Sequence, residues 1–224
     1  MKFINNQFYH IYNRGADARE IFKEEKNYLR FIHCLYEFND QNPALAHHFM
    51  DRKGELLNKA VQREILVDIH SFCLMPNHFH LILQQRAEGG ITKFMRKLGT
   101  GYTMYFNEKY QRIGVLFQGK FKAIPITSDE YLLHLSRYIH LNPVDLIEPG
   151  WKDNGINDWQ RACKFIEGYR WSSLLDYIGI KNFPSVITQT NFLLGYFTSL
   201  DHFKDFICDF VAKDLSEVRP LFLE

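Results

Sequence analysis

The 224-residue chain predicts an α+β fold: a ferredoxin-like split βαβ core with an antiparallel central sheet, followed by a C-terminal helical appendage. Three observations carry this. The apolar pattern switches between period two and helical period in the order strand, helix, strand, strand, helix, strand, helix, which is the split βαβ plan. Two of the strands are separated only by Pro76-Asn77, a connection close to a hairpin turn. After Pro149-Gly150 the pattern loosens into helical runs.

Gln7 to Asn13 alternates, with Phe8, His10 and Tyr12 on one side and Tyr9 and Ile11 on the other, and reads as the first strand. Asn13-Arg14-Gly15 is a turn that delivers a cation beside the sheet. Arg14 fits phosphate pairing and loop ordering equally well. Glu24 to Phe38 carries Tyr28, Leu29, Phe31, Ile32, Leu35 and Tyr36 at helical spacing. Residues 39–64 are polar and mixed and read as an insertion; adjacent His47 and His48 would point to opposite faces of a strand and read as surface residues. Ile65 to Leu74 and His78 to Gln84 are the central strands, the second ending before Gly89-Gly90.

Ile91 to Tyr110 reads as a long helix with Phe94, Met95, Leu98, Tyr102, Tyr105 and Phe106 inward, weakened by Gly99 and Gly101. Phe121 to Ile126 is the fourth strand. Residues 128–141 form the next helix. Thr127 and Glu130 have capping-box spacing before it, and Asp129 and Glu130 sit where the helix dipole favours acids. Leu132, Leu135 and Ile139 give it a core face, and Pro143 should end it. Leu174 to Ile178 is a short helical run, and residues 191–211 hold enough apolar side chains for one or two packing helices. The expected division is a main unit at 1–179 and a helical appendage at 180–224 packed on it.

Hydrophobic content of 46% is ample for a buried core. No stretch approaches the apolar length of a membrane span, and the first residues lack a signal-peptide core, so a cytoplasmic protein without a membrane partner is expected. Cys34, Cys73, Cys163 and Cys208 have no pair spacing and read as reduced thiols; a C-x-x-C zinc site is absent. Net charge is only +1, but its distribution is uneven. Between Arg86 and Lys122 there are eight bases against two acids, and between Ser199 and Glu224 six acids against three bases. The basic stretch, which includes Arg96, Lys97, Arg112, Lys120 and Lys122, is interleaved with aromatics. Cations that meet phosphates and rings that stack on bases suit a nucleic-acid single strand. A solvated helix face with core aromatics accounts for the same pattern, and explains most of those rings.

The chemistry concentrates in two segments. In Met75-Pro76-Asn77-His78-Phe79-His80 the two histidines stand at i and i+2 of a strand. Both imidazoles therefore project from one face, with Phe79 on the other, and could hold a divalent metal. Two histidines on a solvated sheet face are the plainer reading of that pair alone. In Tyr138-Ile139-His140-Leu141-Asn142-Pro143, Tyr138 and Asn142 share a helix face if the last turn persists. That sets a phenol nucleophile one turn from a neutral oxygen ligand; a core tyrosine before an Asn-Pro helix stop is the alternative. His134 and His140 on the same helix are candidate proton carriers or structural residues.

Taken together, these segments resemble the HUH superfamily of DNA-nicking enzymes, and within it the single-tyrosine transposases associated with repetitive extragenic palindromes. Also in matching order are His10-Ile11-Tyr12-Asn13-Arg14-Gly15, Gly114-Val115-Leu116-Phe117-Gln118-Gly119-Lys120-Phe121-Lys122 and Trp171-Ser172-Ser173, so the likeness covers roughly residues 5–178. The resemblance implies an HUH-endonuclease type of sheet with the histidine pair on a central strand. It implies His78 and His80 as metal ligands, Tyr138 as nucleophile, and Asn142 where many of the family carry glutamine as a third, amide-type ligand. It also implies Mg2+ or Mn2+, of which imidazole ligands suit Mn2+ better. The expected function is that of a transposase acting on single-stranded or hairpin DNA through a 5′-phosphotyrosine intermediate, with a monomer favoured slightly over a homodimer. Competing readings are a domesticated hairpin-binding protein with weakened catalysis and a metal-dependent hydrolase of a small substrate.

Overall fold

The computed structural model describes residues 2–43, 63–187 and 190–208, the side chains of residues 190 and 191 excepted. His47, His48 and the end of the predicted 191–211 helical run lie outside these residues. Strands β1 (Phe8–Arg14), β2 (Val67–Met75), β3 (His78–Gln85) and β4 (Lys122–Ile126) form one sheet in the order β2-β3-β1-β4. Every neighbouring pair is antiparallel. With α1 (Glu25–Glu37) between β1 and β2, and α2 (Gly90–Lys109) between β3 and β4, this is the predicted split βαβ core. No described helix is long and apolar enough to cross a membrane.

Period-two alternation gives the sheet two different faces. One carries Ile11, Phe79 and Leu81 against α1 and α2: Phe31 of α1 packs 5.0 Å from Phe79 and 4.9 Å from Tyr102 of α2, ring centre to ring centre. Tyr102 and Phe106, from the aromatic-rich basic stretch, are core residues here. The other face carries the histidines. Register sets Tyr12 opposite His80 and Arg14 opposite His78. It is covered by α3 (Asp129–Leu141).

The start of α3 differs from the predicted capping box. Ser128, not Thr127, is the N-cap, and its hydroxyl accepts from the Tyr131 N–H. Ser128 is the last extended residue, so only its side chain reaches the open end of the helix. The other end falls where expected, at Leu141, but the residue before the proline does not turn extended. Asn142 keeps α-helical dihedrals (φ −49°, ψ −40°), and Pro143 sits in the first turn of a 3-10 segment, Asn142–Leu146. Proline tolerates that place because its missing N–H has no helical partner there. Asn142 thus stays one turn beyond Tyr138.

Beyond this, α4 (Trp151–Asn154), α5 (Trp159–Gly168) and α6 (Leu174–Tyr177) lead to α7 (Thr190–Leu194) and α8 (Leu200–Cys208). The stretch before α6 seals the outer edge of β2: Leu74 N–H donates to Trp171 O (2.9 Å) and Ser173 N–H to Phe72 O (3.0 Å). Ser173 Oγ accepts from Phe72 N–H and lies 2.8 Å from His140 Nε2. His140 is buried, and burial pushes its pKa down to about 3, so it acts as a neutral packing residue of α3. Helix α8 packs on the same helix, with the Arg137 guanidinium 3.7 Å from the Phe206 ring centre.

One reading of composition is corrected. Cys163 of α5 and Cys208 of α8 are joined as a disulfide, with Cα atoms 6.1 Å apart, and only Cys34 and Cys73 are free thiols. Packing of the two helices brings together residues 45 apart in sequence, which spacing cannot reveal.

His70 occupies the β2 bulge between Ile69 and Ser71, its ring 4.9 Å from Phe8 and 5.3 Å from Phe192. Burial lowers its pKa from 6.5 to about 4, opposed by the Gln84 side chain and reinforced by Arg86. The folded state thus rejects a proton that the unfolded chain accepts. Stability is full above pH 6.5 and falls as pH drops toward 4, by roughly 2–3 kcal/mol between pH 7.5 and 4.5. Buried His140, whose pKa is lowered in the same way, adds a loss of similar size, so urea unfolding at those two pH values should show about half of the total loss removed in His70→Gln. An equal loss in both proteins would assign the acid sensitivity elsewhere.

Candidate active site

β3 sets His78 and His80 side by side, with ring centres 5.0 Å apart and planes near perpendicular. Each ring is oriented through Nδ1. His78 Nδ1 lies 2.6 Å from Asn77 Oδ1, in the β2–β3 turn. His80 Nδ1 lies 2.9 Å from Nε2 of His10 on β1, and the two rings stack. When each Nδ1–H donates, the Nε2 atoms are the lone-pair donors, which is the arrangement a metal requires.

Across from them, the Tyr138 ring meets His80 edge-on at 5.7 Å. Tyr138 is 1% exposed, with Trp151 at 6.4 Å and Lys152 Nζ 5.3 Å from its ring centre. Asn142 is fully buried; its Nδ2 donates to Tyr138 O at 3.4 Å. Its Oδ1 has no hydrogen-bond partner among the described residues. A buried acceptor left unpaired costs about 1–3 kcal/mol, which a bound cation would relieve. Two imidazoles and one orphaned amide oxygen are a donor set chemically suited to a divalent ion. Among the described residues no cluster of three or more His, Cys, Asp or Glu could hold a metal, so such a site here depends on the amide.

Beside His78 a polar cavity of about 480 Å³ is lined by Arg14, Asn77, Lys122 and Asp145, with Tyr12 and Asn13 in its wall. Arg14 Nε is buried, with no hydrogen-bond partner among the described residues. Two cations and an imidazole around one opening suit an anion, with the Asp145 carboxylate opposing them. The remaining predicted DNA-contacting residues lie elsewhere. Arg96 and Lys120 are exposed on the wall of a second, apolar cavity. Lys97 donates to the carbonyls of Asp40 and Asn42, both at 2.6 Å, and Arg112 donates to Asn107 Oδ1 at 3.1 Å. Arg86 pairs with Asp68 and Lys109 with Glu24. The basic stretch is thus partly spent on internal bonds, which leaves Arg96, Lys120 and Lys122 facing solvent.

Sequence reasoning missed His10, Tyr12, Asn77 and Asp145. The first two share a strand face with Arg14, but only cross-strand register brings that face against the histidines.

Comparison with known proteins adds to this geometry. A solved structure of a REP-associated tyrosine transposase bound to a REP hairpin aligns with 82% of this chain and 87% of its own, at 14% identity and a TM-score of 0.48. No curated protein matches the chain. The family model described as "Transposase IS200 like" matches residues 13–142, a span that takes in His78, His80, Tyr138 and Asn142. That is more than half of the sequence, and the chain belongs to the IS200-like transposase family.

Proposed function

We propose that the protein is a metal-dependent endonuclease and strand transferase for single-stranded or hairpin DNA, with Tyr138 as its nucleophile. The observation that carries this is the Tyr138 ring set against His80, one turn before the unpaired oxygen of Asn142. Residues 1–179 are the catalytic unit in this reading, and 180–224 its appendage. In this reading the protein acts as a monomer.

Arg14 and Lys122 bind the phosphate in the polar cavity and hold it beside His78. The Tyr138 oxygen attacks phosphorus in line. Its O–P bond forms as the bond to the 3′ oxygen breaks; the phenol loses its proton, and the 3′ oxygen leaves as a hydroxyl after taking one up. The 5′ phosphate stays on Tyr138, so the bond energy is retained for rejoining to another 3′-OH. Tyr138 is buried in the free protein, so attack follows local opening of the cover that includes Trp151 and Lys152. A divalent ion on His78, His80 and Asn142, Mg2+ or Mn2+, would offset charge on the non-bridging oxygens during this step.

The test is incubation with a library of DNA hairpins carrying single-stranded flanks, with Mn2+, followed by a denaturing gel. A covalent protein–DNA band is the expected result. Hairpin binding without any adduct would instead support a binding protein with lost catalysis, and turnover of small phosphoesters without DNA affinity a hydrolase. Binding should also weaken with salt. Lys120→Ala with Lys122→Ala should reduce the slope of log affinity against log salt by about 1.4, two charges at about 0.7 each for a single strand. An unchanged slope would place the phosphates elsewhere.

A further inference from the structure

We propose that the apolar cavity beside the polar one is a subsite for a single unpaired base of the same DNA strand. This deepens the nuclease reading and rests on it. The cavity, of about 650 Å³, opens between α2 and the segment leading into β4. That volume is in the ordinary range for small-ligand pockets. Phe79, Met95, Leu98, Phe117 and Phe121 supply apolar and aromatic walls.

Two features identify the occupant. The first is continuity. Asn13 lines both cavities, and residues 117–122 form the ridge between them: Gln118 and Lys122 line the polar side, Gly119 to Phe121 the apolar side. Asn13 Nδ2 donates to Gly119 O at 3.3 Å, which fixes the ridge on β1. A strand whose phosphate lies at Arg14 and Lys122 crosses this ridge with its next phosphate at Lys120. The second is charge. Arg96 and Lys120 are exposed on the apolar cavity's wall and make no ion pair among the described residues. Cations around a ring-lined hole match a nucleotide, whose base is flat and apolar on its faces and whose phosphates are anionic. In the cavity's own lining, Val115 is 72% and Met104 67% exposed, giving the opening an apolar rim.

Gly99 allows the subsite to be closed without harming the fold. It lines the cavity from α2, and a Cβ built on it meets nothing within 4 Å. Both Gly99→Leu and Gly99→Ala improve helix propensity, but only leucine reaches into the hole. The probe is a hairpin with single-stranded flanks in which an abasic residue is moved along the flank one position at a time. For the native chain, one position should weaken binding about tenfold when abasic. Gly99→Ala should keep that position-specific loss. Gly99→Leu should abolish it, binding the whole series at the weakened level. If no position matters, or Gly99→Leu keeps the loss, the subsite is overturned, while hairpin affinity and the covalent adduct still uphold the nuclease reading. If neither hairpin nor single strand binds, both fall. Binding of an apolar peptide that Gly99→Leu blocks, with no abasic effect, would reassign the cavity to a protein partner.

Discussion

Tyr138→Phe is expected to abolish the covalent protein–DNA adduct while leaving folding and DNA binding in place. The substitution removes one hydroxyl from a ring that packs between His80 and Trp151. The ring contacts persist, so the stability change should stay near 1 kcal/mol, the worth of an ordinary hydrogen bond. Loss of the adduct should be complete, because phenylalanine has no oxygen to bond phosphorus. The measurement is the denaturing gel, paired with a filter-binding assay that shows DNA still held. A residual adduct would name another tyrosine. Tyr102 is a poor candidate: it is buried on the opposite side of the sheet, its hydroxyl donates to Ile21 O at 2.6 Å, and burial pushes its pKa far up. Tyr12 lines the polar cavity on the histidine face and would be the first to examine.

The second large effect is on the metal. His78→Ala and His80→Ala should each remove metal-dependent cleavage, and Mn2+ affinity measured by calorimetry should fall by at least about a hundredfold. Asn142→Ala should weaken it by about tenfold, since water partly replaces a neutral oxygen. His10→Ala, one bond removed from the ion, should fall in the about 10–100-fold range seen when a ligand's supporting partner is lost. His80 is buried, so His80→Gln, which retains polarity and bulk, guards against an unfolded variant. Unchanged Mn2+ affinity in both histidine variants would eliminate the metal site altogether.

What sequence could reveal follows the range of the interactions. The alternation in Phe8–Arg14 and His78–Gln85, and the helical spacing of Leu132, Leu135 and Ile139, are local, and the elements appear where they predict. Their order sufficed for the sheet topology because a short turn and two crossovers leave few arrangements. Local rules failed at Asn142, where the bias of a residue before proline toward extended structure yielded to a 3-10 turn. The rest was hidden because it is non-local. The hydrogen bond from His80 to His10 spans 70 residues, and the Cys163–Cys208 pair joins two helices whose packing no spacing encodes. Lys97 looked like a phosphate ligand from its neighbours in sequence, yet two carbonyls at the end of the α1 loop claim its ammonium.

The sealed edge of β2 bears on where this molecule can be cut. The family match ends at Asn142, but the backbone groups of Phe72 and Leu74 are satisfied by Trp171 and Ser173, nearly thirty residues later. A fragment trimmed to the matched span would bare a strand edge beside the histidine-bearing strand β3 and offer it to any passing chain, a recipe for aggregation. It would also lose His10, which lies before the match begins. The smallest self-sufficient piece therefore runs at least from Phe8 through Ser173, and similarity of sequence marks where the family pattern is shared, not where the fold closes.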